Sequence, residues 1–207
     1  MKNPLHYQLS EYDCGPTSLL NAISFLFERE EIPPEILRNI MLYCLDCYGP
    51  EGSAGKSGTS CTAMMFLSNW LQGLGDIGKL PSRYLRGSDV YVGDNSLLLD
   101  ALHRGGAVVV RLYYEVAHYV LFTGVKDGQI LLFDPYYQTV PFTKPDEKKA
   151  LLVTDHPFSW NRSVPFSYFN RESMELYALG EMAGREAVLL FNRNTVLTEE
   201  ATIEYFI

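Results

Sequence analysis

Residues 7 to 23, with the sequence YQLSEYDCGPTSLLNAI, constrain this chain most because they place a cysteine where a helix begins. Gly15 and Pro16 follow Cys14, and proline is favoured in the first helical turn, where its missing N–H would have no partner anyway. The apolar residues that follow keep helical spacing: Leu19, Leu20, Ile23, Leu26 and Phe27. The pattern therefore predicts a helix over residues 16 to 28, with Cys14 at its start.

Cys14 has the local environment of a nucleophile. A thiol at a helix N-terminus lies beside unpaired N–H groups and the positive end of the helix dipole, which stabilise the thiolate. Gln8, six residues upstream, carries a side-chain amide of the kind that serves in an oxyanion hole. The alternative is that Cys14 is a small buried apolar residue, as cysteines near helix starts often are.

Among the four histidines, His118 is the one placed to act as a base. His6 and His156 lie in irregular stretches flanked by proline, and His103 ends a short predicted helix before Gly105. His118 instead opens the apolar strand HYVLFTGV, which leads into an Asp-Gly hairpin signal. A histidine at the start of a strand also has a purely structural interpretation.

The predicted hairpin brings a carboxylate towards His118. A two-residue turn at residues 127 to 128 pairs residue i with residue 255 − i, so His118 lies opposite position 137. Asp134 is three residues short of that position, and contact requires a bulge or bend, for which Pro135 is a candidate. A Cys-His-Asp relay is therefore available. Gln8 is a fourth residue that is consistent with this interpretation.

These motifs resemble those of the bacteriocin-processing cysteine peptidases, papain-like enzymes that cut leader peptides after a double glycine. The resemblance covers roughly residues 5 to 140 and includes the spacing of 16 residues between the histidine and the aspartate. It rests on Gln8, the run from Cys14 to Ser18, His118-Tyr119-Val120 and Asp134-Pro135. It implies a peptidase whose catalytic residues are Cys14 as nucleophile, His118 as general base, Asp134 as its orienter and Gln8 as oxyanion donor.

The order of elements, helices first and strands second, predicts an α+β chain with a papain-like fold, N-terminal helices being followed by a twisted antiparallel sheet. We expect residues 1 to 143 to form the peptidase core and residues 144 to 207 an extension that completes the sheet or covers the cleft, the two together making one compact unit. The resemblance implies a peptide substrate, with a double-glycine leader as the candidate, and a separate membrane transporter as a candidate partner. This chemistry needs no metal or organic cofactor.

Two other functions are compatible with the same residues. An amine or alcohol in place of water would make the protein an acyltransferase or amidase, and nothing in the sequence separates these acceptors. A leader-binding module with an idle site is the third interpretation, which the presence of all four residues disfavours.

Composition excludes several other classes. A net charge of −8 without a basic cluster argues against nucleic acid. No stretch has 18 consecutive apolar residues and no apolar run follows the first lysine, so we expect no membrane insertion and a cytoplasmic location. The run GSAGKS lacks the glycine spacing of a phosphate loop.

The other cysteines predict neither a metal site nor disulfides. Cys44 and Cys47 form a C-x-x-C pair without a second pair or a nearby histidine. Cys44 continues an apolar helix stripe that includes Leu37 and Met41, so we expect it in the core, and we expect Cys61 to be buried too. A reduced state is the simplest expectation without a secretory signal.

Apolar periodicity predicts the remaining elements. Helices are expected at residues 34 to 46, 59 to 73 and 95 to 104, with Asn95 as the last N-cap. Strands are expected at 107–113, 118–125, 129–134, 137–142, 150–154 and 187–192, with IEYFI as a further terminal candidate. The aromatic segment 156 to 170 either packs on the core or grips a substrate, and no residue after 143 is needed for the chemistry.

Overall fold

The computed structural model describes residues 1–73 and 80–192. Within them lie four α-helices: α1 (Cys14–Leu26), α2 (Pro34–Tyr43), α3 (Cys61–Gln72) and α4 (Leu97–His103). The strands are β1 (Ser82–Arg86), β2 (Ala107–Tyr114), β3 (Val116–Lys126), β4 (Gln129–Phe133), β5 (Leu151–Leu152), β6 (Arg162–Pro165) and β7 (Glu186–Leu190).

The seven strands form one sheet in the order β1-β7-β2-β3-β4-β6-β5, and every neighbouring pair is antiparallel. The predicted α+β class, with helices ahead of an antiparallel sheet, is confirmed. Three of the strands come from residues after 143, and β7 lies between β1 and β2. The last third of the described chain is therefore built into the same sheet as the histidine strand.

Alternating side chains of β2 and β3 build a core on each face of the sheet, as the period of two in a strand requires. Val110 and Phe122 belong to the cluster that includes the buried residues of α4. Val109 and Leu121 belong to the cluster that includes the apolar residues of α1. Each such fully buried side chain contributes roughly 1.5–3 kcal/mol, so both helices are fixed to the sheet.

The β3–β4 hairpin has the predicted turn, with Lys126 opposite Gln129. The register then shifts by one residue between Phe122 and Gly124, so that Leu121 lies opposite Phe133. The bulge that the His118–Asp134 contact requires is therefore present, but it lies within β3 and not at Pro135. It moves Asp134 one position nearer to His118.

Several predicted boundaries are wrong. α4 begins at Leu97, and its N-cap is Ser96, whose hydroxyl accepts a hydrogen bond from the Leu99 N–H at 3.1 Å. Asn95 instead adopts a left-handed backbone, with φ of 62°. Residues 137 to 142 contain no strand, and the strand predicted at 150 to 154 is only two residues long. The terminal IEYFI segment lies outside the described residues.

Burial is predicted for two cysteines outside the site, and the prediction is correct for one of them and wrong for the other. Cys44 is buried, as expected, although it caps α2 and does not lie within it. Cys61, expected to be buried, is exposed, and Leu37 and Met41 of the predicted apolar stripe are also exposed. All four cysteines are free thiols.

Residues 1–73 and 80–192 contain neither a cluster of metal-binding side chains nor a membrane-spanning helix. In that part of the chain, no group of three or more His, Cys, Asp or Glu side chains is arranged to hold a metal ion. No helix within the same ranges is long and apolar enough to cross a membrane.

Candidate active site

The loop before α1 fixes Cys14 at the first position of the helix. Asp13 is the N-cap residue, and its backbone carbonyl accepts the first helical hydrogen bond from the Thr17 N–H at 3.0 Å. The Asp13 carboxylate accepts hydrogen bonds from the Leu9 and Ser10 N–H groups at 2.9 and 2.6 Å. Burial raises the pKa of Asp13, but these bonds and the Ser10 hydroxyl lower it below its usual value. The charged Asp13 carboxylate therefore fixes the conformation of the loop that begins at Leu9.

Gly15 allows a neighbouring loop to pack against the start of α1. A Cβ at this position would lie 2.7 Å from the Thr59 hydroxyl oxygen, which is too close for any larger residue without a shift. The segment before α3 therefore contacts the helix start beside Cys14. This close approach gives a packing reason for the Cys-Gly pair.

A hydrogen bond joins α1 to the strand that carries His118. The Ser18 hydroxyl, one helical turn after Cys14, donates to the Tyr119 carbonyl at 3.0 Å, and both groups are buried. Residues four apart lie on the same face of a helix, so Cys14 is directed towards the same strand. Cys14 itself is buried, with 8% of its surface exposed.

His118 interacts with both a carboxylate and the cysteine. Its Nε2 lies 2.8 Å from Asp134 Oδ1, and the ring is buried. Burial alone would lower the pKa of His118, but the charge and hydrogen bond of Asp134, together with the Cys14 side chain, raise it to about 10. His118 therefore carries a positive charge at neutral pH.

Asp134 is completely buried and its carboxylate is held by three donors. Oδ1 accepts from His118 and from the Tyr136 N–H at 2.9 Å, and Oδ2 accepts from the Tyr177 hydroxyl at 2.8 Å. Burial raises the pKa of Asp134, whereas the His118 charge and then Arg162 lower it, leaving it below the usual value. Asp134 is accordingly an ionised carboxylate.

The Asn161 side chain holds the backbone of Asp134 from both sides. Its Oδ1 accepts from the Asp134 N–H, and its Nδ2 donates to the Asp134 carbonyl, each at 2.8 Å. Asn161 lies just before β6, and its own N–H donates to the Leu132 carbonyl at 2.9 Å. An amide side chain thus continues the ladder between β4 and β6 and fixes the carboxylate at its end.

Gln8 lies between the cysteine loop and the segment that follows Asp134. Its backbone N–H donates to the Pro135 carbonyl at 2.9 Å, and its side-chain Nε2 donates to the Ser10 carbonyl at 2.7 Å. A side-chain amide has two N–H donors, so one remains for a bound oxygen. The backbone N–H of Cys14, at the helix start, is the natural second donor.

The structure brings His118 into direct contact with Asp134 and into interaction with Cys14, and it places Gln8 on the loop that leads to Cys14. That no residue after 143 is needed for the chemistry stays a prediction, but two later residues, Asn161 and Tyr177, bind Asp134. No local pattern marks those two residues, which follow Asp134 by 27 and 43 positions.

Comparison with known proteins gives little further information. No family model matches the chain, and no curated protein matches it. Among solved structures, the peptidase domain of ComA from Streptococcus mutans is similar over 90% of this chain and 98% of that one, with 13% identity and a TM-score of 0.40. A similarity of this strength carries no argument about function, which must come from the site.

Proposed function

We propose that the protein is a papain-like cysteine peptidase that cuts a peptide amide through a thioester on Cys14. The observation that supports this most is the position of His118, which is hydrogen-bonded to a buried carboxylate and also interacts with a cysteine at a helix N-terminus. A base oriented by a third group, next to a nucleophile, is the arrangement that activates a thiol.

The proposed reaction begins with attack of the Cys14 thiolate on the amide carbonyl while His118 is protonated. The negative oxygen of the tetrahedral intermediate accepts hydrogen bonds from the Gln8 side chain and the Cys14 N–H. His118 then gives its proton to the leaving amine, and Asp134 stabilises the imidazolium before that step. Water, deprotonated by the now neutral His118, hydrolyses the thioester and releases the acid product.

For the substrate we propose a leader peptide with a double glycine before the cut, and a separate membrane transporter as the partner that exports the product. The support is the sequence resemblance between residues 5 and 140 and the peptidases that process such leaders. The test compares a synthetic peptide, in which a leader ending in Gly-Gly is followed by a further segment, with the same peptide carrying Ala-Ala in place of the two glycines. Mass analysis of the products gives both the rate and the cut position.

The expected result is cleavage after the second glycine by the wild-type protein and none by Cys14→Ala. Cys61→Ala is the matched control, since it removes an exposed thiol at the start of another helix. Binding of the leader without cleavage would instead identify a leader-binding module, and a product joined to an added amine would identify an acyltransferase. Cleavage of both peptides at the same rate would contradict the leader substrate.

A further inference from the structure

The carboxylate of Asp134 is oriented by a side chain that plays no part in the reaction as proposed above. Tyr177 is completely buried, and its hydroxyl donates to Oδ2, the oxygen that His118 does not contact. The Tyr136 N–H donates to Oδ1, so the two hydrogen bonds together fix the plane of the carboxylate. The Tyr177 bond does so from the side opposite the histidine. Rotation of Asp134 would break both bonds.

A buried arginine lies behind this tyrosine. Arg162 is 1% exposed, and its guanidinium donates to the Asn161 and Tyr136 carbonyls at 3.0 and 3.3 Å. It also interacts with the Tyr177 side chain and helps to lower the pKa of Asp134. A buried charge is costly unless it is paired, and Asp134 is the ionised group that it serves.

Tyr177 is itself held in place by the backbone. Its N–H donates to the Tyr113 carbonyl at 2.8 Å, and the Tyr113 N–H donates to the Ala178 carbonyl at 3.0 Å. Its φ of 58° lies in the left-handed region, which is uncommon for a bulky residue and often marks a functional position. The ring also packs against Phe142. The hydroxyl therefore has a defined position before any substrate binds.

We propose that Tyr177, supported by Arg162, is the positioning residue that keeps Asp134 directed at His118. The proposal rests on the proposed peptidase function, since it assigns a role towards the same His118–Asp134 pair. Charges then alternate along a buried line, from Arg162 through Asp134 and His118 to Cys14. Two residues of the last third of the chain, Tyr177 and Arg162, thus support the chemistry through Asp134 without touching the reacting atoms.

Other charged and titratable groups also face this pair. The centroid of the Tyr114 ring, on β2, lies 6.1 Å from that of the His118 ring. Burial raises the pKa of the Tyr114 hydroxyl, and the Asp134 charge raises it further. Cys14 faces His118 from α1, and Tyr136 lies beside Asp134. These groups are unchanged in the variants below, so a difference between variants reports on Tyr177 and Arg162.

The test compares Tyr177→Phe with Tyr168→Phe, each of which removes the hydroxyl of a buried tyrosine. The Tyr168 hydroxyl donates to the Asp146 carbonyl and does not contact the site. For Tyr177→Phe we expect kcat to fall about 10- to 100-fold at unchanged KM, the size expected for one hydrogen bond to a charged group. For Tyr168→Phe both constants should be unchanged.

A second readout does not require peptidase activity. The anionic reagent iodoacetate alkylates Cys14 fastest while His118 is positively charged, so the rate falls at the pH where His118 loses its proton. The extent of reaction at Cys14 is read by mass analysis of its peptide, which separates it from Cys47 and Cys61. We expect the fall near pH 10 in the wild-type protein and in Tyr168→Phe, and at a lower pH in Tyr177→Phe.

The outcomes separate the two proposals. If Cys14 of the wild-type protein shows no such fall and no peptide is cut, the peptidase function fails. If the wild-type protein behaves as expected and Tyr177→Phe shows the same pH of the fall, or a higher one, the positioning role is overturned. A merely structural role would lower the melting temperature without moving that pH.

Arg162→Lys tests the support assigned to Arg162 with the same readout, whether or not Tyr177→Phe folds. It keeps the buried charge but loses the planar group that spans Asn161 and Tyr136. We expect the fall in the alkylation rate of Cys14 to occur at a lower pH than in the wild-type protein. A variant that folds and keeps the wild-type profile would overturn the support assigned to Arg162.

Discussion

The cysteine and the carboxylate of the candidate site are held in opposite ways. Cys14 is fixed by the adjacent loop and helix, since the Asp13 carboxylate binds N–H groups only three and four residues away. Asp134 is fixed by Asn161 and Tyr177, which are distant in the sequence. The position of Cys14 therefore depends mainly on neighbouring residues, whereas the carboxylate depends on the completed sheet.

The two regions also differ in their access to water. The cysteine loop has exposed positions, among them Leu9, which is 97% exposed, and Tyr12. Asp134 is 0% exposed and lies behind His118. Under the proposed function, the exposed loop beside the thiol is where a peptide enters. The buried carboxylate, which His118 and Arg162 keep ionised, acts more strongly on the histidine than it would in water. The predictions below test this division.

Loss of the nucleophile has the largest expected effect. Cys14→Ala should lower kcat by roughly 10⁴-fold or more, as removal of a catalytic nucleophile does. Because Cys14 is buried, we also expect the variant to lose about 1 kcal/mol of folding free energy. Peptide cleavage and thermal unfolding measure the two effects. Substantial activity in Cys14→Ala, beside a normal Cys61→Ala control, would show that the nucleophile is another residue.

Loss of the carboxylate charge should come next. Asp134→Asn should reduce kcat by roughly 10²- to 10⁴-fold, the upper figure being that of a serine peptidase triad. The active state needs protonated His118, so activity is lost as pH rises through the histidine pKa, which is about 10 in the wild-type protein. Without the Asp134 charge, burial dominates and lowers that pKa, so the alkaline limb of kcat/KM moves to lower pH.

A matched control for this variant is Asp127→Asn, which changes a carboxylate in the turn of the same hairpin. Its pH profile should be that of the wild-type protein. An unmoved alkaline limb in Asp134→Asn would mean that another group sets the charge of His118.

The oxyanion donor should matter less than the relay. Gln8→Ala should lower kcat by roughly 10²- to 10³-fold, because one preorganised donor to the developing negative charge is lost. Gln129→Ala, which removes an amide beside the hairpin turn that accepts a hydrogen bond from the Ser163 hydroxyl, is the control. Steady-state kinetics on one peptide decide the matter, and a Gln8→Ala enzyme within a few-fold of wild type would exclude the oxyanion role.

Substitutions in the aromatic segment, residues 156 to 170, should have the smallest effect on the chemistry. The structure places two of its residues, Trp160 and Phe166, in different surroundings. Trp160 is half-buried, stacks on His156 at 4.2 Å, and follows Pro157, whose carbonyl binds the Leu5 N–H. Because this places Trp160 near the segment that carries Gln8, we expect Trp160→Ala to raise KM about 3- to 10-fold with little change in kcat.

Phe166 should behave differently from Trp160, because it packs against the core on the α4 side of the sheet. We expect Phe166→Ala to cost about 2–4 kcal/mol of folding free energy and to leave the kinetics of the folded enzyme unchanged. A melting curve and a KM measurement on both variants make the comparison. Equal KM values for Trp160→Ala and wild type would assign the whole segment to packing.

The same contrast explains what could be predicted from the sequence. The helix at Cys14, the Asp-Gly turn and the β2–β3–β4 strands follow from local spacing and turn chemistry. The bulge in β3 could not be predicted, because no local pattern marks the register shift between Phe122 and Gly124. The bonds of Asn161 and Tyr177 to Asp134 could not be predicted either, because they arise where distant segments of the chain meet the end of β4. The predicted burial of Cys61 is wrong for a similar reason, since helical spacing does not reveal which turn of α3 the sheet leaves exposed.

The most direct test of the central claim is to capture the thioester on Cys14. The protein is mixed with a leader peptide, quenched with acid during turnover, and its intact mass and Cys14 peptide are measured. We predict an added mass equal to the N-terminal acyl fragment of the cut peptide, located on Cys14 and absent from Cys14→Ala. Cleavage that proceeds equally well in Cys14→Ala, with no adduct on Cys14 of the wild-type protein, would contradict the account.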